Sequence, residues 1–552
     1  LVFYIDSLMP VKWNPYIKAG AESWNKAFEK IGFKDVICVK EFPKNDTLFN
    51  ANSFDCMTIR YSASWLNSAQ TTIHSDTRTG EILNASILIN ANMISVQYAD
   101  RIGATVAIDP RVRTTVFPQE IQGELIQAAI AQAVGTGLGL TMNWGASCAY
   151  PVDSLRSASF TQKYGLASSV MGGVIINDVA TEEDVRNGVC LVNAKPGPYD
   201  ELVIKYLYQP IYASSLQEEK ETLDSWIREH TGDPYYAYIR NQSRFDSDPR
   251  NSRGSLGDDH LKSFDYMLPN VRKGFENYYS WFAKEDRDFL MRRRVHSALS
   301  ERLSGRIYAI LSYIGGIYLN DIREKDAIPS YSMVDREKQK AALSKALELA
   351  KNLDWVDDTA HLNEFEISDK KADRLRLDIF NGIFGRLPYV EVCTERFPDA
   401  AYTASEYLDD IYGIVWEGVL KHRPLENFER ALQTAFLESI ISTSTATAPI
   451  GSFKASKTGF AATGKPEINL AALRNGGKVD MKMYSLQNAE EVAGFSSIPP
   501  IYTNQTKIAA YYFDLLMRTK DMLKKAISTA PEADRSHYDL LIYRINKATE
   551  IE

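Results

Sequence analysis

Between Pro118 and about Leu140 the chain carries one long, largely apolar segment, and whatever fold it adopts has to be built around it. Leu125, Ile126, Ala129, Ile130, Ala133 and Val134 recur at helical spacing and form a buried stripe. Gln127, Gln132, Thr136 and three glycines interrupt the stretch from Leu125 to Leu140. It is therefore too short and too polar to span a bilayer, and no other segment reads as transmembrane. With 552 residues, 45% hydrophobic and 24% charged, the chain is too long for a single core and too apolar for disorder, so two or three packed domains are expected. Its net charge of −8 argues against nucleic acid as a partner, because polyanion binding needs clustered positive charge.

Around that segment the first 215 residues read as mixed α/β. Leu1–Asp6 is a strand, and Asn14-Pro15 opens a helix whose apolar residues run from Ile17 to Ile31 and which Gly32 ends. Val36–Val39 and Met57–Tyr61 are further strands, the first pair suggesting a right-handed parallel crossover. Asp76–Gly80 is a turn, and Leu83, Ala85, Ile87 and Ile89 alternate as a strand after it. From residue 216 onward the pattern is helical, with stripes at Leu299–Ile314 and Leu343–Leu353. More helices are expected near 370–386, 404–421, 424–441 and 505–527, and a Ser/Thr/Ala/Gly-rich loop over 442–464. The chain opens without Met, straight into a strand and with no leader-like segment, which reads as an N-terminally truncated fragment of a longer protein. Its five cysteines form no CxxC pair and imply no disulfide framework.

The most informative stretch is Gln132 to Asn143. Its frame is similar to the zinc helix of metzincin metallopeptidases, HExxHxxGxxH. In that motif two histidines one helical turn apart bind zinc, a glutamate beside the first acts as base, and a glycine turns the chain so that a third histidine completes the site. Here Gly139 stands at the turn with Asn143 beyond it. Gln132, Thr136 and Met142 occupy the three ligand positions, and Ala133 occupies the base position.

The flanks extend the likeness. Trp24–Phe28 with Ile31–Phe33, Asp76–Leu83, Asp109–Arg111, Tyr150–Ser154 and Phe160–Gly165 all match. Ser168–Met171 falls where the family carries its Met-turn, although Gly172-Gly173 replace the usual Asp-Tyr. Gly197–Asp200 and Gly257–Asp259 also match. The chain thus resembles a bacterial family of secreted or envelope metzincin-like zinc metalloproteases with a helical C-terminal region.

That resemblance implies an α+β domain over 1–215, a mixed sheet packed on the long active-site-type helix, and a mainly α-helical domain over 216–552. Secreted or cell-envelope localisation rests on it alone. It further implies an edge strand for peptide binding at Gly80, Glu81, Ile82, Leu83, Asn84 and Ala85, with Gly139, Asn143 and Met171 as turn and support residues. For catalysis it argues the other way. A zinc site draws roughly 10–16 kcal/mol from its ligands together, and a carboxamide, a hydroxyl and a thioether are poor zinc ligands without charge or imidazole. Loss of the base alone costs roughly 10²–10⁴-fold in rate.

No rebuilt site is evident. No two of the seven histidines stand within four residues of each other. His74 reads as a surface or hydrogen-bonded residue, Cys148 as a buried free thiol and Glu124 as a residue that caps or solvates the early helix. Gly135–Gly139 follows a helix and lacks dinucleotide-loop spacing. Asp246, Asp248, Asn251, Asp258 and Asp259 fit no EF-hand register and read as a solvated loop. Tyr235–Tyr238 and Tyr278–Trp281 read as core packing rather than a glycan surface, and Arg292–Arg294 as a wet helix face. The expectation is a pseudoenzyme without zinc or other cofactor that binds a peptide, protein or other extended ligand in the former cleft. The alternatives are a hydrolase with relocated metal or nucleophile, and an envelope scaffold.

Overall fold

The structure is a computed structural model. It describes residues 1–43, 45–46, 48–64, 66, 69–239, 247–251, 255–324, 326, 328–361, 370–444 and 505–549, with the backbone alone for 442–444 and 505–508. The described chain forms two compact units, one running through Tyr407 and the other from Leu408 onward. Residue 215 lies inside the first. The serine- and threonine-rich loop expected over 442–464 falls, beyond Ser444, outside the described residues, as do Asp246 and Gly254.

The first unit is organised by a five-stranded sheet in the order β2-β1-β3-β5-β4: β1 (Val2–Ile5), β2 (Cys38–Glu41), β3 (Met57–Ser62), β4 (Ala69–Ser75) and β5 (Ile82–Asn90). β1 pairs in parallel with both β2 and β3, and β3 in parallel with β5. Only β4 runs antiparallel, joined to β5 by a turn in which the Gly80 amide donates to the Asp76 carbonyl. This corrects the expected edge. Gly80 and Glu81 belong to the turn, and Ile82–Ala85 open an inner strand that β4 covers. The physical reason is burial: Ala85, Ile87 and Ile89 are inside the core, whereas Thr72, His74 and Ser75 face solvent.

The helices follow. The expected single helix over 15–32 is two, α1 (Asn14–Glu22) and α2 (Asn25–Glu29). The break lets Trp24 turn fully inward, where its indole N–H donates to the Ala131 carbonyl at 2.8 Å. Asn14 does not cap the helix; its amide donates to Glu41. α3 (Ala91–Thr105), which the sequence reading missed, precedes α4 (Gln119–Gly137), the long apolar helix, buried around most of its circumference. Ile17, Trp24 and Phe28 from α1 and its continuation meet Phe3, Ile59 and Ile87 of the sheet and Ile126, Ile130 and Val134 of α4 in one core.

Downstream come α5 (Ala158–Tyr164), α6 (Glu182–Arg186), α7 (Pro198–Tyr208), α8 (Leu216–Arg228), α9 (His260–Phe282) and α10 (Leu290–Leu311). α10 packs on α3 and α9, and its Arg302 and Arg306 grip the buried Asp178. The remaining helices of the first unit include Arg336–Lys351, Lys371–Gly385 and Leu387–Arg396. Described residues of the second unit fold as helices, among them Asn427–Ser444, Gln505–Ala526 and Glu532–Thr549. No helix among the described residues is long and apolar enough to cross a membrane.

Candidate functional site

The C-terminal half of α4 holds Gln132, Ala133 and Thr136, and its surroundings explain the geometry. At Gly135 a Cβ would stand 2.5 Å from the Trp24 ring and 2.6 Å from the Met171 sulfur, so only glycine lets helix, tryptophan and methionine close together. Gly139 adopts φ +90°, which reverses the chain after the helix. The Gly139 amide then donates to the Thr136 carbonyl and the Leu140 amide to that of Gly135. This reversal returns Met142 to the helix face that presents Gln132 and Thr136.

Gln132 and Met142 touch through their side chains, whereas Thr136 bonds to the helix backbone one turn back. The Gln132 amide Nε2 donates to the Met142 sulfur at 3.1 Å, and the Thr136 hydroxyl donates back to the Gln132 carbonyl at 3.3 Å. All three are half-buried and Ala133 is buried. The Ala133 carbonyl accepts the Thr71 hydroxyl of β4 at 2.9 Å, which ties the edge strand to the motif.

Below the motif lies the turn Ser169–Gly172, with Met171 fully buried. The Asn143 amide donates to the Met171 carbonyl, and the Asn143 side chain bridges to the backbone of Ala237 and Ile239. The turn is fastened by Asp200, whose carboxyl accepts from the Ser169 hydroxyl at 2.5 Å and from the Val170 and Gly197 amides. Burial pushes this carboxyl up to about 7 despite those three donors. Nothing in the sequence alone marks Trp24 and Asp200 as supports, although both lie in stretches that carry the resemblance.

The other candidates find plain roles. His74 sits within β4, exposed, 5.6 Å from the Phe54 ring. Cys148 is buried and hydrogen-bonded to Ser255, and burial raises its thiol pKa. Glu124 keeps part of its side chain in solvent and lies 3.7 Å from the buried Arg101, which also donates to Asp109 at 2.7 Å. Arg292 likewise leaves the expected wet face and pairs, buried, with Asp286. Asp248 binds Arg250, the Asp258 carboxylate accepts the Val152 amide, and Asp259 caps α9 and pairs with Lys338. Tyr235 packs on Tyr150, and Tyr278 is buried.

A parallel sheet with one antiparallel edge strand, a long helix beside that edge, a glycine reversal and a buried methionine turn together define a metalloprotease-like scaffold of the metzincin kind. The chain belongs to the Met-zincin family: the family profile so described matches residues 114–423, more than half of the chain. No curated protein and no solved structure gives a significant match.

The family implies zinc, and the residues at the three ligand positions do not fit it. Gln132, Thr136 and Met142 bring no anionic or imidazole donor, and the Gln132 N–H is already committed to the Met142 sulfur. Among the described residues no three His, Cys, Asp or Glu side chains are grouped to hold a metal ion.

Proposed function

We propose that this protein is a Met-zincin homologue that does not hydrolyse peptide bonds and instead binds an extended polypeptide along β4. The carrying observation is the contrast between a retained frame and a replaced centre. The glycine reversal, the methionine turn and its Asp200 clasp are in place, while the ligand and base positions hold Gln132, Thr136, Met142 and Ala133. Binding by strand addition needs backbone amides and carbonyls at a sheet edge, and no metal. β4 offers such an edge, with Thr72, His74 and Ser75 exposed, held beside the motif by the Thr71 hydroxyl. The same scaffold, secreted or in the cell envelope, would then capture rather than cut its ligand.

The test is calorimetry of the whole chain with extended hexa- to octapeptides in metal-free buffer, alongside a peptidase assay. Binding without cleavage, lost in Thr72→Pro, supports the proposal; cleavage, or no binding by any extended peptide, contradicts it.

A further inference from the structure

Beside the motif, within the first unit, lies a cavity of about 640 Å³ that begins at Gly139, Leu140 and Thr141. Its walls come from α7, α8, the segment around Tyr236 and residues near 320–328. We propose that this cavity takes the cationic side chain, lysine or arginine, of the polypeptide laid along β4; the inference rests on that binding reading and adds a chemical preference to it.

Aromatic walls come first. Tyr199 and Tyr238 stand parallel with ring centroids 6.0 Å apart, and Tyr236 stacks on His230 at 3.8 Å. Burial, with Tyr238, Asp200 and Asp321 nearby, keeps the Tyr199 phenol protonated, so this wall is a neutral π surface. Neutral aromatic faces attract ammonium and guanidinium groups through the ring quadrupole.

Charge sets the sign. Both arginines of the lining already have carboxylates from outside it: Arg250 pairs with Asp248 at 2.7 Å, and Arg323 lies 2.7 Å from Asp224. Two lining carboxylates have no ion-pair partner among the described residues. Asp233 accepts only the Tyr235 amide. Asp326 accepts only the Arg323 amide, and its other oxygen is buried without a hydrogen-bond partner. Asp233 is exposed and adds only negative potential, but the buried Asp326 oxygen is costly unless a cation meets it, so an anionic occupant is disfavoured and an uncharged one leaves Asp326 uncompensated.

Position favours a polypeptide as the source of that cation. The Ile82 side chain comes within 3.4 Å of a Cβ position on Gly139, at the cavity's edge, and Ile82 pairs with Ser75, the last residue of β4. A strand added to β4 therefore runs out beside the opening. Thr141, whose hydroxyl lies 3.1 Å from the Tyr238 hydroxyl, forms the shared rim.

The experiment uses the full chain and three extended peptides identical but for one residue: lysine, norleucine or glutamate. Calorimetry should give about tenfold tighter binding for lysine than norleucine, weaker binding still for glutamate, and loss of the lysine preference in Asp233→Asn/Asp326→Asn. The two amides keep the side-chain oxygens that accept the local amides, and Tyr238→Leu, which removes the π face but keeps an apolar wall, serves as a second variant that should weaken lysine binding alone. Equal affinity for the lysine and norleucine peptides would overturn the cation assignment while leaving strand addition standing. Binding of N-acetyl-lysine methylamide by a chain that binds none of the peptides would overturn the polypeptide source.

Discussion

The Gln132 side-chain nitrogen lies 3.1 Å from the Met142 sulfur and donates its hydrogen to it. The two side chains thus face each other, ten residues apart in sequence and joined by the Gly139 reversal. The reversal brings a carboxamide and a thioether together, and each occupies the other.

If the frame is intact, restoring the chemistry should restore metal binding. Gln132→His/Thr136→His/Met142→His is expected to retain about one zinc per chain after dialysis, and zinc should raise its melting temperature, since a ligand bound only by the folded state stabilises it. Elemental analysis and thermal melts with and without zinc check this.

Asp200 gives the protein a pH-dependent weakness. Its carboxyl rises from the usual 3.8 to about 7 because it is buried. The folded state therefore holds this proton more tightly than the unfolded chain. Its contribution is fully present below about pH 4 and is lost as pH rises through about 7. Asp200→Asn should flatten that part of the profile, while Asp200→Ala should destabilise at every pH by leaving the Val170 and Gly197 amides unpaired. Urea titrations at pH 5 and pH 8 separate the two.

Gly135→Ala should destabilise the protein by about 1–3 kcal/mol, because the added methyl meets the Trp24 ring at 2.5 Å and the Met171 sulfur at 2.6 Å in a close-packed core. The measurement is the shift in denaturation midpoint, with near-ultraviolet circular dichroism reporting the Trp24 environment.

Asp178 is buried beneath Arg302, 2.6 Å away, and also pairs with Arg306. Asp178→Ala leaves two guanidinium groups without their counter-charge and should cost about 3–5 kcal/mol. Asp178→Ala with Arg306→Met should recover part of that loss in a double-mutant cycle.

Much of this architecture could be read in the residues. The stripes of α4 and α10 are long and strongly periodic, and the glycine expected to turn the chain at Gly139 does so, with Gln132 and Met142 in contact across the reversal. β4 was missed because Ala69–Ser75 is polar and half exposed, with little apolar alternation to mark it. β5 reads as an edge because an alternating strand does not disclose what lies on either side of it. The ion pair of Arg292 with Asp286 turns an expected surface residue inward, since a buried charge is legible only once its partner is known. Trp24 broke an otherwise continuous helical pattern, tertiary burial outweighing local propensity.

The most direct measurement is the metal content of the purified natural chain after exhaustive dialysis, by mass spectrometry of the elements with X-ray absorption on any metal retained. We expect well under one equivalent of zinc and no zinc-edge signature of sulfur or nitrogen ligation. One tightly held zinc per chain, ligated by the Met142 sulfur together with Gln132 and Thr136, would contradict the account.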